Sequence, residues 1–262
     1  MWCVLLALSL TPPLVSEVNL LVTVVEQKTA KPVSDLKAED FTVTDSDSPR
    51  RVQHAQYGTS PVDVMLLVDS GLRGQAVQGA AADLIGQLRD KEQMALVAYH
   101  SAADLVQDFT SSKAALTRAL GSIKYGNDPR ALDGIFAAID GGFEHAVYRK
   151  VILLLTTGFE GSSRTSERSV VKLARKNGVS IYVLYLTGRE RGLFESLARQ
   201  TGGVPMNMRD LGNAAKSPAE RVFEAMRGTY SVTLAGNLSV GEKLKIEVKR
   251  AGKYFVSALP VD

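Results

Sequence analysis

The chain has 262 residues, 45% apolar and 23% charged, and 31 Lys and Arg against 28 Asp and Glu give a net charge of +3. That composition excludes global disorder, and a mild positive balance without a dense Lys/Arg tract does not point to nucleic acid. The single cysteine, Cys3, excludes a disulfide framework and a Cys-rich zinc site, and no apolar run approaches the ~20 residues of a membrane span.

Val4 to Leu10 form a short, mostly apolar stretch, followed by Thr11-Pro12-Pro13-Leu14-Val15-Ser16. This reads as a secretory signal over residues 1–16, with cleavage after Ser16 and export to the periplasm, envelope or exterior. No Lys or Arg precedes Val4, and a first strand or a misplaced start is the alternative reading. Cleavage would leave a chain without cysteine, which suits an oxidising compartment.

Residues 17–60 read as short strands: Val18 to Val25, Phe41 to Thr44 and Arg51 to Tyr57, with Asp45 to Arg50 as a turn containing Pro49. So few strands bury little core alone and need a partner. Val62 to Val68 is apolar except for Asp63 and ends in Asp69, the pattern of a buried parallel strand. Ala81, Leu84, Ile85 and Leu88 recur at helical spacing. Strands follow at Met94 to Tyr99 and Leu105 to Phe109, then helical stripes at Leu116, Leu120, Ile123 and at Leu132, Ile135, Phe136, Ile139. Val151 to Leu155 is another apolar strand. Val170, Leu173 and Ala174 mark a helix that stops at Asn177-Gly178. Ser180 to Leu186 is a strand, Leu193, Phe194 and Leu197 a helix ending at Gly202-Gly203, and Val222, Phe223 and Met226 a last helix. The alternation predicts an α/β layer fold with a mainly parallel sheet.

After Gly228 the β pattern returns at Tyr230 to Leu234, Lys243 to Lys249 and Tyr254 to Ala258. Leu244 to Lys249 alternates apolar and charged residues, so one face is wet. The simplest organisation is a small antiparallel β-domain built from both chain ends, 17–60 and 228–262, with the α/β domain, 61–227, inserted between its halves. Two separate β appendages are the alternative. His54, His100 and His145 are far apart and show no metal-ligand spacing.

Ligands of open α/β sheets bind at the carboxyl ends of the strands. Here one central strand ends in Val68-Asp69-Ser70-Gly71-Leu72-Arg73-Gly74 and a later one in Leu155-Thr156-Thr157-Gly158-Phe159-Glu160. That pair resembles von Willebrand factor type A (VWA) domains. The wider text resembles the bacterial VWFA-related family of secreted proteins. Matching stretches are Val33 to Phe41, Pro61 to Asp69, Met94 to Ser101, Gln107 to Leu116, Val151 to Gly158, Arg199 to Gly203 and Lys243 to Arg250. The resemblance implies a Rossmann-like, doubly wound VWA domain flanked by β segments.

It also implies a metal-ion-dependent adhesion site. The family's Mg2+ takes oxygens from Asp-x-Ser-x-Ser, a loop Thr and a later Asp, and Mg2+ requires about six in octahedral array. This chain keeps Asp69, but Gly71 and Arg73 stand at the two serine positions, Pro129 or Arg130 near the Thr position, and Thr157 at the later Asp. Ser70, Asp128 or Glu160 would have to supply replacement oxygens. The site therefore reads as degenerate and without a metal cofactor, with Arg73 pairing with Asp69 to relieve a buried charge.

No phosphate-cradling loop, dinucleotide fingerprint or Gly-x-Ser-x-Gly elbow occurs, and no catalytic residue is assigned. The expected function is non-enzymatic protein binding. Asp69, Arg73, Asp128, Arg130, Thr157 and Glu160 would form the contact surface, and Arg73 and Arg130 would attract an acidic protein partner directly. The alternatives are a structural domain that makes its contacts through the Lys243 to Lys249 strand, and conventional cation-dependent adhesion.

Overall fold

The computed structural model describes residues 17–212, 216–236 and 244–261. The expected signal at 1–16 and the first residue of the Lys243 strand lie outside them. The chain begins with β1 (Glu17–Glu26), β2 (Phe41–Asp45), β3 (Ser48–Arg50) and β4 (Val52–Thr59). The middle runs β5 (Val62–Asp69), α1 (Gln78–Gly86), β6 (Gln93–Tyr99), β7 (Ala103–Thr110), α2 (Lys113–Gly121), α3 (Ala131–Ile139) and β8 (Arg149–Thr156). It continues with α4 (Glu167–Lys176), β9 (Ser180–Tyr185), α5 (Arg191–Gln200), β10 (Pro205–Asn207), α6 (Met208–Leu211) and α7 (Pro218–Arg227). The chain closes with β11 (Gly228–Ala235), β12 (Leu244–Val248) and β13 (Tyr254–Val261).

β5 is buried along its whole length. Val64, Leu66 and Val68 face one core, and Met65 and Leu67 face the other. A strand covered on both faces has no polar side, which explains the unbroken apolar run. The exception, Asp63, accepts the amides of Val147 and Tyr148 at 2.6 and 2.8 Å. The sheet order is β10-β9-β8-β5-β6-β7, parallel except for β7. Helices α1, α2 and α7 supply the first core and α3, α4 and α5 the second, the expected doubly wound arrangement. Among the described residues, no helix is long and apolar enough to cross a membrane.

The chain ends form two antiparallel sheets, β13-β1-β11-β4 and β12-β2-β3. Strand β1 lies between two strands from the other end of the chain, paired with β11 and β13 along most of its length. This is the inserted organisation, and not two separate appendages. Leu20, Val22, Phe41, Val43, Val232 and Ile246 fill the core between the sheets. Tyr230 is buried at its centre, donating to the Val33 carbonyl at 2.8 Å and accepting the Leu36 amide at 3.0 Å. In β12 only Ile246 is fully buried, while Lys245 and Glu247 are exposed and pair at 2.8 Å.

One local expectation is corrected. Asp45 to Arg50 is not wholly a turn. Ser46 and Asp47 take positive φ of 50° and 66°, making a two-residue connection, and Ser48–Arg50 returns as β3 against β2. The twist of a tight hairpin favours such a turn, and Pro49 is tolerated because β3 is an edge strand.

The two regions are bolted together. The Thr23 hydroxyl donates to the Gly202 carbonyl at 2.8 Å, and the Ser257 hydroxyl to Gly203 at 2.6 Å. Where α7 enters β11, the Arg227 guanidinium grips Glu92 through two bonds of 2.7 and 2.5 Å and also reaches the Gln87 carbonyl at 2.8 Å. Arg227 is 6% exposed and Glu92 1%. Removing one partner leaves an uncompensated buried charge, so Glu92→Ala is expected to cost about 3–5 kcal/mol in urea unfolding. The double change Glu92→Leu with Arg227→Met removes both charges and is expected to recover most of that loss.

Candidate functional site

Asp69 ends β5 at the carboxyl edge of the parallel sheet and is 1% exposed. Both of its oxygens are engaged. Oδ1 accepts the Gly71 amide at 2.9 Å, and Oδ2 accepts the Thr157 amide at 3.0 Å and the Thr157 hydroxyl at 2.6 Å. Three short donors thus meet a charge that burial would otherwise penalise.

The expected Arg73–Asp69 ion pair is not formed. Arg73 is exposed, and its guanidinium lies over the Phe159 ring, 5.1 Å from the centroid. Arg189 lies over the same ring at 5.2 Å. The reason is energetic: Thr157 and Gly71 satisfy the carboxylate from within the fold, whereas a guanidinium would have to shed its water to join them.

Four loops meet over Asp69. The Leu72 amide donates to the Asn127 carbonyl at 3.0 Å and the Gly126 amide to the Ser70 carbonyl at 2.9 Å, tying the Asp69 loop to residues 126–130. The Gly161 amide donates to the Pro129 carbonyl at 2.6 Å, tying in the loop after β8. The Thr157 carbonyl accepts the Thr187 hydroxyl at 2.8 Å, which adds the loop after β9. Gly158 makes that approach possible: its φ is +99°, and a Cβ there would lie 2.0 Å from the Thr187 carbonyl oxygen.

Glu160 turns inward. Its carboxylate accepts the Ala131 amide at 2.7 Å and the Ser163 hydroxyl, closing the amino end of α3, where a negative charge is favoured. Burial still raises its pKa above the ordinary value, although those hydrogen bonds oppose the rise. Asp133 in the same helix is also pushed up by desolvation, but bonds from Thr165 and Arg164 and the charge of Arg130 outweigh this, and its pKa is lowered. Burial and the charge of Asp69 raise the phenol pKa of Tyr99 and Tyr125, which stay neutral.

The sequence-derived residues therefore separate into three levels. Asp69, Ser70, Gly71 and Thr157 are buried, Arg130 and Glu160 are half-buried, and Arg73 and Asp128 are exposed. Sequence reasoning missed Arg189, and passed over Phe159 and Leu72, which is 74% exposed. A signal existed for Arg189: it follows β9, whose carboxyl end lies at the same edge of the sheet.

The side chains present do not fit the octahedral cation of the resemblance. A Cβ on Gly71 would already lie 3.0 Å from both Asp69 Oδ1 and Pro129 Cδ, so the loop at 126–130 fills the space of a serine. The Thr157 hydroxyl is committed to Asp69. Ser70 Oγ, buried without a hydrogen-bond partner among the described residues, is one spare oxygen where about six are needed. No group of three or more His, Cys, Asp or Glu placed to hold a metal occurs among the described residues.

Residues 63–227 match the family model of the von Willebrand factor type A domain. No curated protein matches the chain. Proximal thread matrix protein 1 from the mussel byssus is similar in structure, with a TM-score of 0.55, 18% identity and coverage of 74% of this chain and 51% of that one. A second structure of that mussel protein, described as having a zinc-occupied MIDAS motif, gives 0.54, 18%, 74% and 50%. A von Willebrand factor type A structure from Catenulispora acidiphila gives 0.53 and 10% identity, covering 94% of this chain and 75% of that one. This chain spans about half the length of the mussel protein. At these identities the likeness concerns the fold.

Thr157→Val keeps the shape but removes the hydroxyl from Asp69, and is expected to cost about 1.5–3 kcal/mol in chemical denaturation, as for a hydrogen bond to a charged group. Glu160 gives a pH signature. A carboxyl with a raised folded-state pKa favours the fold most below its unfolded value, and that contribution is lost as pH rises through the folded value. Thermal unfolding across the mildly acidic range should show this decline, and Glu160→Gln should flatten it.

Proposed function

We propose a function from a premise that the match establishes: the chain belongs to the von Willebrand factor type A domain family. Domains of this family are commonly protein-interaction modules. This chain acts as such a module, without enzymatic activity and without a metal, in an exported protein. Its contact surface is the loop cluster above Asp69, and its partner is acidic.

The observation that carries this reading is the closure of Asp69. Thr157 and Gly71 occupy the carboxylate that would anchor a cation, while Arg73 and Arg189 both bring their guanidinium groups over the Phe159 ring. Exposed Leu72 adjoins them. Arginine beside an aromatic ring and an aliphatic anchor is the composition of interface hot spots. A guanidinium binds a partner carboxylate bidentately with no ion between them. Arg130 and Asp128 flank this group on the neighbouring loop and set the polar rim.

Two measurements test the reading. Titration with Mg2+ or Mn2+ to about 10 mM should leave the melting temperature unchanged, since a ligand of the folded state alone must raise it. A saturable rise that disappears in Asp69→Ala would restore cation-dependent adhesion. Immobilised poly-glutamate should retain the protein, and Arg73→Ala with Arg189→Ala should weaken retention about tenfold. The charge-matched change Lys172→Ala with Lys176→Ala should not. Equal loss in both variants would reduce the effect to net charge and sink the proposed surface.

A further inference from the structure

A second polar cleft lies at the other end of the sheet. It opens beside the amino ends of β5 and β6, an eight-residue strand away from Asp69. Its volume is about 410 Å³, within the usual range of small-molecule sites. The β-domain contributes Lys31, Tyr57 and Thr59. The VWA domain contributes Arg89 from the turn before β6, and Lys216, Arg221 and Arg227 from α7 and its approach.

The charges do not cancel. Glu224 is the carboxylate in the lining, and it is shared between Lys216 and Arg221, with the Arg221 Nη1 bond at 2.6 Å. Lys216 also reaches Glu220 at 3.2 Å. Arg227 is committed to Glu92 and the Gln87 carbonyl. Lys31 and Arg89 have no side-chain hydrogen bond or ion pair among the described residues, although both line the cleft. Arg221 is only 8% exposed, yet its Nε is buried without a hydrogen-bond partner. A guanidinium has five N–H donors and no acceptor, and keeping one buried with donors unspent is costly. Tyr57 lines the same cleft, and burial raises its pKa, so its phenol remains a neutral donor.

The lining is thus almost entirely donors. Lys31 and Arg89 are exposed cations without a protein partner among the described residues, and Arg221, paired with Glu224 through Nη1, keeps a buried Nε without an acceptor. A compact group with several acceptor oxygens and more than one negative charge matches this surplus of positive charge, and guanidinium groups suit it particularly well. We propose that this cleft binds a small ligand through a phosphoryl group held by Lys31, Arg89 and Arg221, with Tyr57 as a neutral donor. The volume leaves room for an organic remainder. Because the lining comes from both domains, the ligand ties them together. The site shares no residue with the loops above Asp69 and does not rest on their function.

The test uses the full chain and sodium phosphate, with sodium chloride at matched ionic strength as the control, and follows calorimetric heat and melting temperature. A saturable rise with phosphate beyond that with chloride is expected. Lys31→Ala with Arg89→Ala, both exposed positions, should weaken it at least about tenfold while circular dichroism stays unchanged. Arg73→Ala should leave it intact. Sedimentation with phosphatidylcholine vesicles, with and without phosphatidic acid, separates the sources. Loss of phosphatidic-acid-dependent sedimentation in the double variant assigns a lipid headgroup, and phosphate binding without sedimentation assigns a soluble phosphoryl ligand. No saturable response beyond chloride, or equal affinity in the double variant, overturns the proposal.

Discussion

A buried carboxylate has to be answered by something, and Asp69 organises the carboxyl edge of this sheet for that reason. A parallel sheet sends every strand toward the same edge, so the loops after β5, β8 and β9 converge whether or not they have a ligand there. Asp69 fixes how they converge. Its oxygens draw in the Gly71 amide and both donors of Thr157. Thr157 then holds Thr187 through its carbonyl. With the charge met from inside, the residues above it are free to face outward, and Arg73 and Arg189 settle on Phe159.

That edge is displayed on a body whose two ends are closed together. β1 is held on both sides by strands more than two hundred positions later in the chain. Such pairing carries a closure cost that grows only slowly with the length of the intervening chain, so a complete α/β domain fits between the halves. Rigidity at the junction comes from Arg227, which ends α7, leads directly into β11 and is locked to Glu92 in the turn before β6. Surface loops on so fixed a frame would lose little freedom on meeting a partner.

The fold was legible because its signals are local. The apolar run of β5, the helical stripes and the Asn177-Gly178 stop all report one element at a time. The alternation in β12 did the same, and its buried Ile246 and exposed Lys245 and Glu247 follow it. The turn over Asp45 to Arg50 was read too broadly, because proline counts against a central strand while β3 is an edge, and edge status is a property of the sheet. At the site, the loops after Asp69, at 126–130 and after Thr157 were identified, but the loop after β9 and the internal wiring of all four were not. Arg73 was matched to Asp69 by charge alone, and the backbone amides that satisfy Asp69 are carried by every residue and leave no mark in the text. Glu160 looked like a surface acid and is the cap of α3, a role decided by where a loop some thirty residues away comes to rest.

The sequence by itself determined the order and type of most elements and a mainly parallel α/β layer fold, and the family resemblance it carries implied the doubly wound sheet and the replacement of the cation ligands at positions 71, 73 and 157. The elements follow from side-chain type and periodicity, which are written along the chain, and the resemblance rests on motifs written there too. Tertiary structure decided which donors meet Asp69, that Arg73 turns to Phe159 beside Arg189, and that Lys31, Arg89 and Arg221 gather around one cleft. Those outcomes depend on desolvation and on distances between residues far apart in the chain. Both are fixed only when the loops are packed against one another.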